Sequence, residues 1–149
     1  MNIRPVTIDD TQEWQRMRAR LYPDLDASEI DEWFEAMDSG GTHLVGVAVL
    51  VLDRGDGNLA GFVEIGSRTY AEGCASTPVA FLEGWYVDPD VRRTGQGRRL
   101  VAAAEAWAVR HGFREMASDT QLDNDVSVTA HLSMGFEEVE RQICFRKRL

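Results

Sequence analysis

The chain has 149 residues, with 25 Asp and Glu against 16 Lys and Arg, a formal net charge of −9. That length favours a single domain spanning 1–149, and the acidic balance argues against a nucleic-acid binder, which needs a basic face. No apolar run approaches the roughly 20 residues of a membrane helix, residues 1–5 lack a signal-peptide stretch, and Cys74 and Cys144 are too few for a disulfide framework or a metal site, so a soluble, cytoplasmic domain without metal or membrane is expected.

Along the chain, residues 2–6 predict a short strand. Thr7-Ile8-Asp9-Asp10 reads as a helix start, with a hydroxyl cap and acids in the first turn. Trp14, Met17 and Leu21 follow at helical spacing, and Tyr22-Pro23 ends the helix. Ser28 with Asp31 suggests a second cap, Ile30, Trp33, Phe34 and Met37 make that helix's apolar face, and Gly40-Gly41 closes it. Residues 43–52 and 59–70 are strand-like runs flanking a turn-rich hexapeptide, which signals a hairpin. A third strand is predicted over 79–88, a helix over 98–112, a short strand over 115–120, a helix over 124–134 and a last strand over 137–146. The order β-α-α-β-β-β-α-β-α-β describes an α/β sheet with antiparallel hairpins before a βαβαβ half.

The most informative stretch is Val87-Asp88-Pro89-Asp90-Val91-Arg92-Arg93-Thr94-Gly95-Gln96-Gly97-Arg98, between a strand and a helix. Two glycines two residues apart let the backbone curl so that several amides converge. The helix start adds unpaired N–H groups and a partial positive charge. Arg92, Arg93, Arg98 and Arg99 locally reverse the protein's acidic sign. A pyrophosphate suits such a place, although the spacing alone serves equally for a tight strand-to-helix turn. A Walker loop is excluded because Gly-Lys-Ser/Thr is absent, and the dinucleotide fingerprint belongs on an early strand.

Arg92-x-x-Gly95-x-Gly97 resembles the Arg/Gln-x-x-Gly-x-Gly/Ala signature of the GNAT acyl-CoA-dependent N-acetyltransferases, and Tyr86-Val87-Asp88-Pro89 is similar to its lead-in. Asn124-x-x-Ser127-x-x-x-His131-x-x-x-Gly135-Phe136 resembles the superfamily's second signature. The resemblance implies the GNAT fold, a mixed α/β central sheet splayed between its fourth and fifth strands with flanking helices, and acetyl-CoA in the split. Within the superfamily, segments 76–84, 115–120 and 135–141, with Gly73-Cys74 and the closing Phe145-Arg146-Lys147-Arg148, resemble the aminoglycoside 6′-N-acetyltransferases of the chromosomal type.

That resemblance assigns roles residue by residue. The backbone of Trp85, Tyr86 and Val87 would lie beside the pantetheine and acetyl groups. Arg92, Arg93, Thr94, Gly95, Gln96, Gly97 and Arg98 would hold the pyrophosphate, and Asn124 would hydrogen-bond the cofactor. Glu83 stands four residues before Val87, which strand alternation places on the same face, and a carboxylate there can accept the acceptor amine's proton. Asp119 is expected either to hold a second ammonium or to cap the following helix. Glu140, in the last predicted strand, is a further acceptor-binding candidate, and Tyr22 and Tyr70 are candidate walls for a sugar ring or ordinary packing residues. His131 stands where many of these enzymes carry a tyrosine that protonates the departing thiolate; a structural histidine is the alternative.

Seven acids and no Lys or Arg occur between Pro23 and Asp38. Such a run is usually a solvated face, yet beside a cleft it would steer a polycation such as an aminoglycoside. Competing functions are acetylation of polyamines or of protein amino groups, and a non-catalytic acyl-CoA-binding module. A homodimer through the C-terminal strands is implied by resemblance.

Overall fold

In the computed structural model, residues 1–149 are described apart from 25, 27, 28 and 39–46. The elements are β1 (Asn2–Pro5), a 3-10 turn at Ile8–Asp10, α1 (Thr11–Leu21), α2 (Glu29–Asp38), β2 (Ala48–Asp53), β3 (Leu59–Arg68) and β4 (Val79–Val87). A second 3-10 turn at Pro89–Val91 leads to α3 (Gln96–Arg110), β5 (Met116–Ser118) and α4 (Asp125–Ser133). The sheet runs β1-β2-β3-β4-β5, antiparallel throughout except for the parallel β4–β5 pair.

Helices cover both faces of the sheet, which is why β3 is apolar almost without interruption rather than alternating. On one face Trp14, Met17 and Ile30 from α1 and α2 pack on Val49, Val51, Phe62 and Tyr86. On the other, Leu100, Ala104, Trp107 and Ala108 of α3 pack on Leu50, Leu52, Val63 and Leu82. The alanines of α3 let it lie close to the strands. At Gly61 a Cβ would come 3.2 Å from the Leu100 side chain and 2.6 Å from Tyr86 O, so the close approach requires glycine there.

β4 and β5 pair only from Ala80–Met116 to Leu82–Ser118. Beyond Leu82, β4 continues to Val87 with no strand partner on that side among the described residues, so the sheet opens as a fork whose apex is Leu82 and Ser118. One local feature was invisible in the pattern. Glu64 pairs with Gly84 while Ile65 pairs with Leu82, which leaves Glu83 as an extra residue, a β-bulge.

Several expectations change. The first helix opens as a 3-10 turn, and α3 starts at Gln96, two residues before its predicted start. The last strand, expected over 137–146, is not formed: residues 135–149 have no regular structure, and Ile143 and Phe145 are exposed. A strand needs a neighbour for its backbone groups, and the open edge here is β5, only three residues long. The Ser28 cap, the Gly40-Gly41 stop and the start of the 43–52 strand fall outside the described residues.

Candidate active site

The bulge decides where Glu83 points. Trp85 and Val87 pack toward the α3 face, whereas Glu83 lines a cleft of about 280 Å³ on the α2 face with Glu29, Glu32, Trp33, Gly66 and Ser67. The expectation that Glu83 and Val87 share a face is therefore corrected: one inserted residue reverses the alternation. Arg68 donates to both Glu83 carboxylate oxygens, at 3.1 and 2.8 Å. Gly66 leaves the room for this carboxylate, since a Cβ there would sit 2.6 Å from Glu83 Oε1. Ser67 Oγ is buried without a hydrogen-bond partner among the described residues.

Tyr22 does not present an open ring wall. Its hydroxyl donates to Glu83 O at 2.8 Å, and burial pushes its phenol pKa up. It fixes the bulge backbone rather than facing the cleft. Beneath it lies Glu64, 1% exposed, which accepts from Trp14 Nε1 at 2.9 Å and Arg18 Nε at 2.7 Å. Burial raises the Glu64 carboxyl to about 6. This residue was missed by sequence reasoning, and its signal was an acid flanked by Val63 and Ile65 in an apolar run. Tyr70 is 68% exposed, Asp119 is exposed just past β5, and Glu140 is exposed in the irregular C-terminal segment. Among the described residues none of these three bonds Glu83, and Glu140 loses the strand setting expected for it.

At the far end of β4 the chain turns through Arg93 and Gly95, whose φ angles of 62° and 85° are left-handed. Gly95 caps α3, and Arg99 N–H, bonded to Gly95 O at 3.1 Å, follows three helix amides with no carbonyl ahead of them. Open space surrounds Gly95, where an added Cβ would meet nothing within 4 Å. Gly97 is required for a different reason: its Cβ would lie 2.9 Å from the Trp85 ring. Arg92 Nε donates to Val87 O and Arg98 to Ser133 O, while Thr94 Oγ donates to Val91 O. Arg93 has no ion-pair partner among the described residues. Trp85 Nε1, buried beside this turn, has no hydrogen-bond partner among the described residues. An orphaned indole donor beside a curl of free amides fits an elongated, phosphate-bearing ligand with acceptor groups.

A larger hollow of about 520 Å³ lies between α1, the β2–β3 turn and Pro89. Its cations are already committed: Arg16, Arg20 and Arg54 all bond the buried Asp88. It therefore braces the root of the turn rather than offering a free anion site.

On the α3–α4 side of the fork, His131 stands edge-on to Trp85 and Phe136, at 6.0 and 5.3 Å between ring centroids. Its Nδ1 lies 2.8 Å from Ser127 O and its Nε2 2.9 Å from Ser118 Oγ. Asn124 accepts from Ser127 N–H at 3.1 Å, so its side chain caps α4. The cap that was weighed for Asp119 is thus supplied by Asn124. Glu83 and His131 flank the fork from opposite faces of β4.

The profile of the acetyltransferase (GNAT) family matches residues 8–136. An aminoglycoside N(6′)-acetyltransferase type 1 of Klebsiella aerogenes is 48% identical over 147 residues, covering 99% of this chain and 96% of the relative. The solved structure of AAC(6′)-Iy in complex with the bisubstrate analogue CoA-S-monomethyl-acetylneamine matches with a TM-score of 0.86 and 35% identity, covering 99% of this chain and 98% of the other. The same protein in complex with CoA matches at a TM-score of 0.87 and 35% identity, with 99% and 95% covered.

Proposed function

The chain belongs to the GNAT acetyltransferase family and, within it, to the aminoglycoside N(6′)-acetyltransferases of type 1, and from this premise we propose that it transfers acetyl from acetyl-CoA directly to the 6′-amine of an aminoglycoside. The observation that carries the reading is the forked strand β4, with the bulged Glu83 facing an acidic cleft on one side and the curl at Arg93–Gly97 beyond its far end.

Acetyl-CoA supplies an activated thioester. The free amides at 95–98 and the Arg93 guanidinium would hold its pyrophosphate, with Arg92, Thr94 and Arg98 shaping the curl around them. The unpaired edge of β4 at Trp85, Tyr86 and Val87 offers backbone donors and acceptors to the pantetheine amides, and the Trp85 indole offers one more donor. The Asn124 side-chain oxygen is engaged by the α4 cap, so its part in cofactor binding is to set the helix start.

In the acceptor cleft, Glu29, Glu32 and Glu83 attract a polycation. The Glu83 carboxylate takes the proton of the arriving ammonium, because only the neutral amine has a lone pair to attack with. Bringing amine and thioester together where the sheet splays beside β4 supplies the larger share of the acceleration through proximity and orientation. Tyr22 positions Glu83 through its carbonyl. Asp119 and the exposed Tyr70 and Glu140 are the outer contacts for a multiply charged sugar. Acetylation removes one positive charge, weakens attraction to anionic RNA and so confers resistance.

A single domain over 1–149 fits a sheet both of whose faces carry helices. No helix among the described residues is long and apolar enough to cross a membrane. A cytoplasmic site fits a reaction fed by acetyl-CoA and a chain whose two cysteines are free. A homodimer is supported by Val139, Ile143 and Phe145, which are exposed in a segment with no sheet partner of its own.

The test is an acceptor panel read by thiol release. Turnover on 6′-amino aminoglycosides, and none on analogues with a 6′-hydroxyl, is expected. Good turnover on polyamines or peptides alone would replace this reading, and CoA binding without any acceptor would favour a binding module.

A further inference from the structure

His131 cannot reach a reactant with either ring nitrogen free, because both are engaged inside the fold. Nδ1 lies 2.8 Å from Ser127 O, an acceptor only, and 3.3 Å from Ser127 Oγ; the shorter contact favours a proton on Nδ1. That leaves Nε2 facing Ser118 Oγ at 2.9 Å. The same hydroxyl lies 3.1 Å from Leu82 O, again an acceptor only. Ser118 has one proton and two places to put it. When it donates to Leu82 O, Nε2 must carry a proton and donate to Oγ, and the ring is an imidazolium with every N–H satisfied. When Nε2 is bare, the hydroxyl turns to it and Leu82 O loses this bond.

Leu82 and Ser118 are the last paired residues of β4 and β5, so this switching hydroxyl stands at the apex of the fork. We propose that Ser118 is the terminal proton donor of a His131–Ser118 relay, and that His131 acts only through it. The inference rests on the acetyl-transfer reading above. As the amine nitrogen bonds the acetyl carbon, the C–S bond breaks and the sulfur keeps the electron pair. The Oγ proton moves to that sulfur while the Nε2 proton refills the oxygen, leaving a neutral imidazole that solvent recharges after product release. The amine's surplus proton leaves on the other face, to Glu83, which has already passed the first ammonium proton on to solvent. Charged groups on the flanking elements include Asp125 in the first turn of α4, Arg98, bonded to Ser133 O, with Arg99, Glu105 and Arg110 on α3, Asp119 beside Ser118, and Glu83. The rings packed against His131, Trp85 and Phe136, are uncharged at neutral pH.

The test combines two readouts on wild type, Ser118→Ala and Ser118→Thr. Single-turnover acetyl transfer to a 6′-amino aminoglycoside should fall about 100-fold in Ser118→Ala, with CoA affinity by calorimetry within twofold of wild type. Ser118→Thr, which keeps the hydroxyl, should recover to within about threefold. In the unliganded protein, ring ¹⁵N NMR of neutral His131 should show the proton on Nδ1. A folded Ser118→Ala variant that binds CoA and transfers acetyl at the wild-type rate overturns the relay alone and leaves a mere clamp between α4 and β5. A neutral ring protonated on Nε2 also overturns it. If wild type acetylates no aminoglycoside, the parent reading fails and the relay falls with it.

Discussion

Gly84 sits over the buried carboxylate of Glu64, and a Cβ there would come 2.7 Å from both Glu64 Oε2 and the Tyr22 hydroxyl. One glycine thus lets α1 dock on Glu64 of β3 through Trp14 and Arg18, while Tyr22 just past its end reaches the carbonyl of Glu83 on β4. At this scale Glu83 itself gives a direct prediction. Glu83→Gln keeps the shape but cannot take a proton, and kcat should fall about 100-fold with acetyl-CoA affinity unchanged. Steady-state kinetics with calorimetric CoA titration would measure both. A second prediction concerns Asp10, which accepts a two-pronged bond from Arg4, at 2.7 and 2.9 Å, and also the Thr7 N–H. The Arg4 guanidinium, first among the causes, holds this carboxyl down at about 2. A depressed acid stabilises the fold above its unfolded pKa near 3.8, and the stabilisation is lost as pH falls through about 2. Asp10→Asn should therefore lose about 2 kcal/mol at pH 6, a gap that narrows between pH 4 and 2 in denaturant titrations. An equal gap at both ends would refute the linkage.

At the scale of elements, the turn between β4 and α3 joins two requirements that the sequence signature compresses into two glycines. Gly95 is needed for its left-handed φ and open surroundings, Gly97 for contact with Trp85. Gly97→Ala places a methyl where the indole is, so a loss of about 1–3 kcal/mol in stability is expected, together with weaker CoA binding as α3 shifts. Thermal unfolding and calorimetry report the two effects separately. The turn was legible because strand, glycines and alanine-rich helix carry local signals. The bulge at Glu83 was not, because it is a matter of register between two strands and neither strand alone records it. His131 was singled out by the family resemblance, yet its partner Ser118 comes from β5 and is itself tied to Leu82 O of β4, a relation no periodicity reveals.

Over the whole molecule, acidic α2 and the basic curl lie on different elements, so a net charge of −9 coexists with an anion site. Opposite local signs suit one cationic and one anionic substrate. The C-terminal segment is the other whole-molecule feature. Val139, Ile143 and Phe145 fall at odd positions and are 59%, 74% and 92% exposed, while Val139 also approaches Gly73. Apolar residues at alternate positions, broken here only by Arg141, belong against another sheet edge. Sedimentation equilibrium should find a dimer for wild type and a monomer for Phe145→Asp. A monomeric wild type at tens of micromolar would remove the proposed pairing.

By itself the sequence determined the α/β class, the order of elements through α4 and the glycine-bearing turn from strand to helix, because each is encoded in neighbouring residues. Only the tertiary structure decided that Glu83 faces α2 rather than α3, that Tyr22 braces a carbonyl, that Asn124 caps a helix and that both nitrogens of His131 are taken. Those are relations between segments far apart in the chain, fixed by strand register and packing. The predicted last strand failed for the same reason: alternation makes a segment able to pair, but a strand exists only where a second edge accepts its hydrogen bonds.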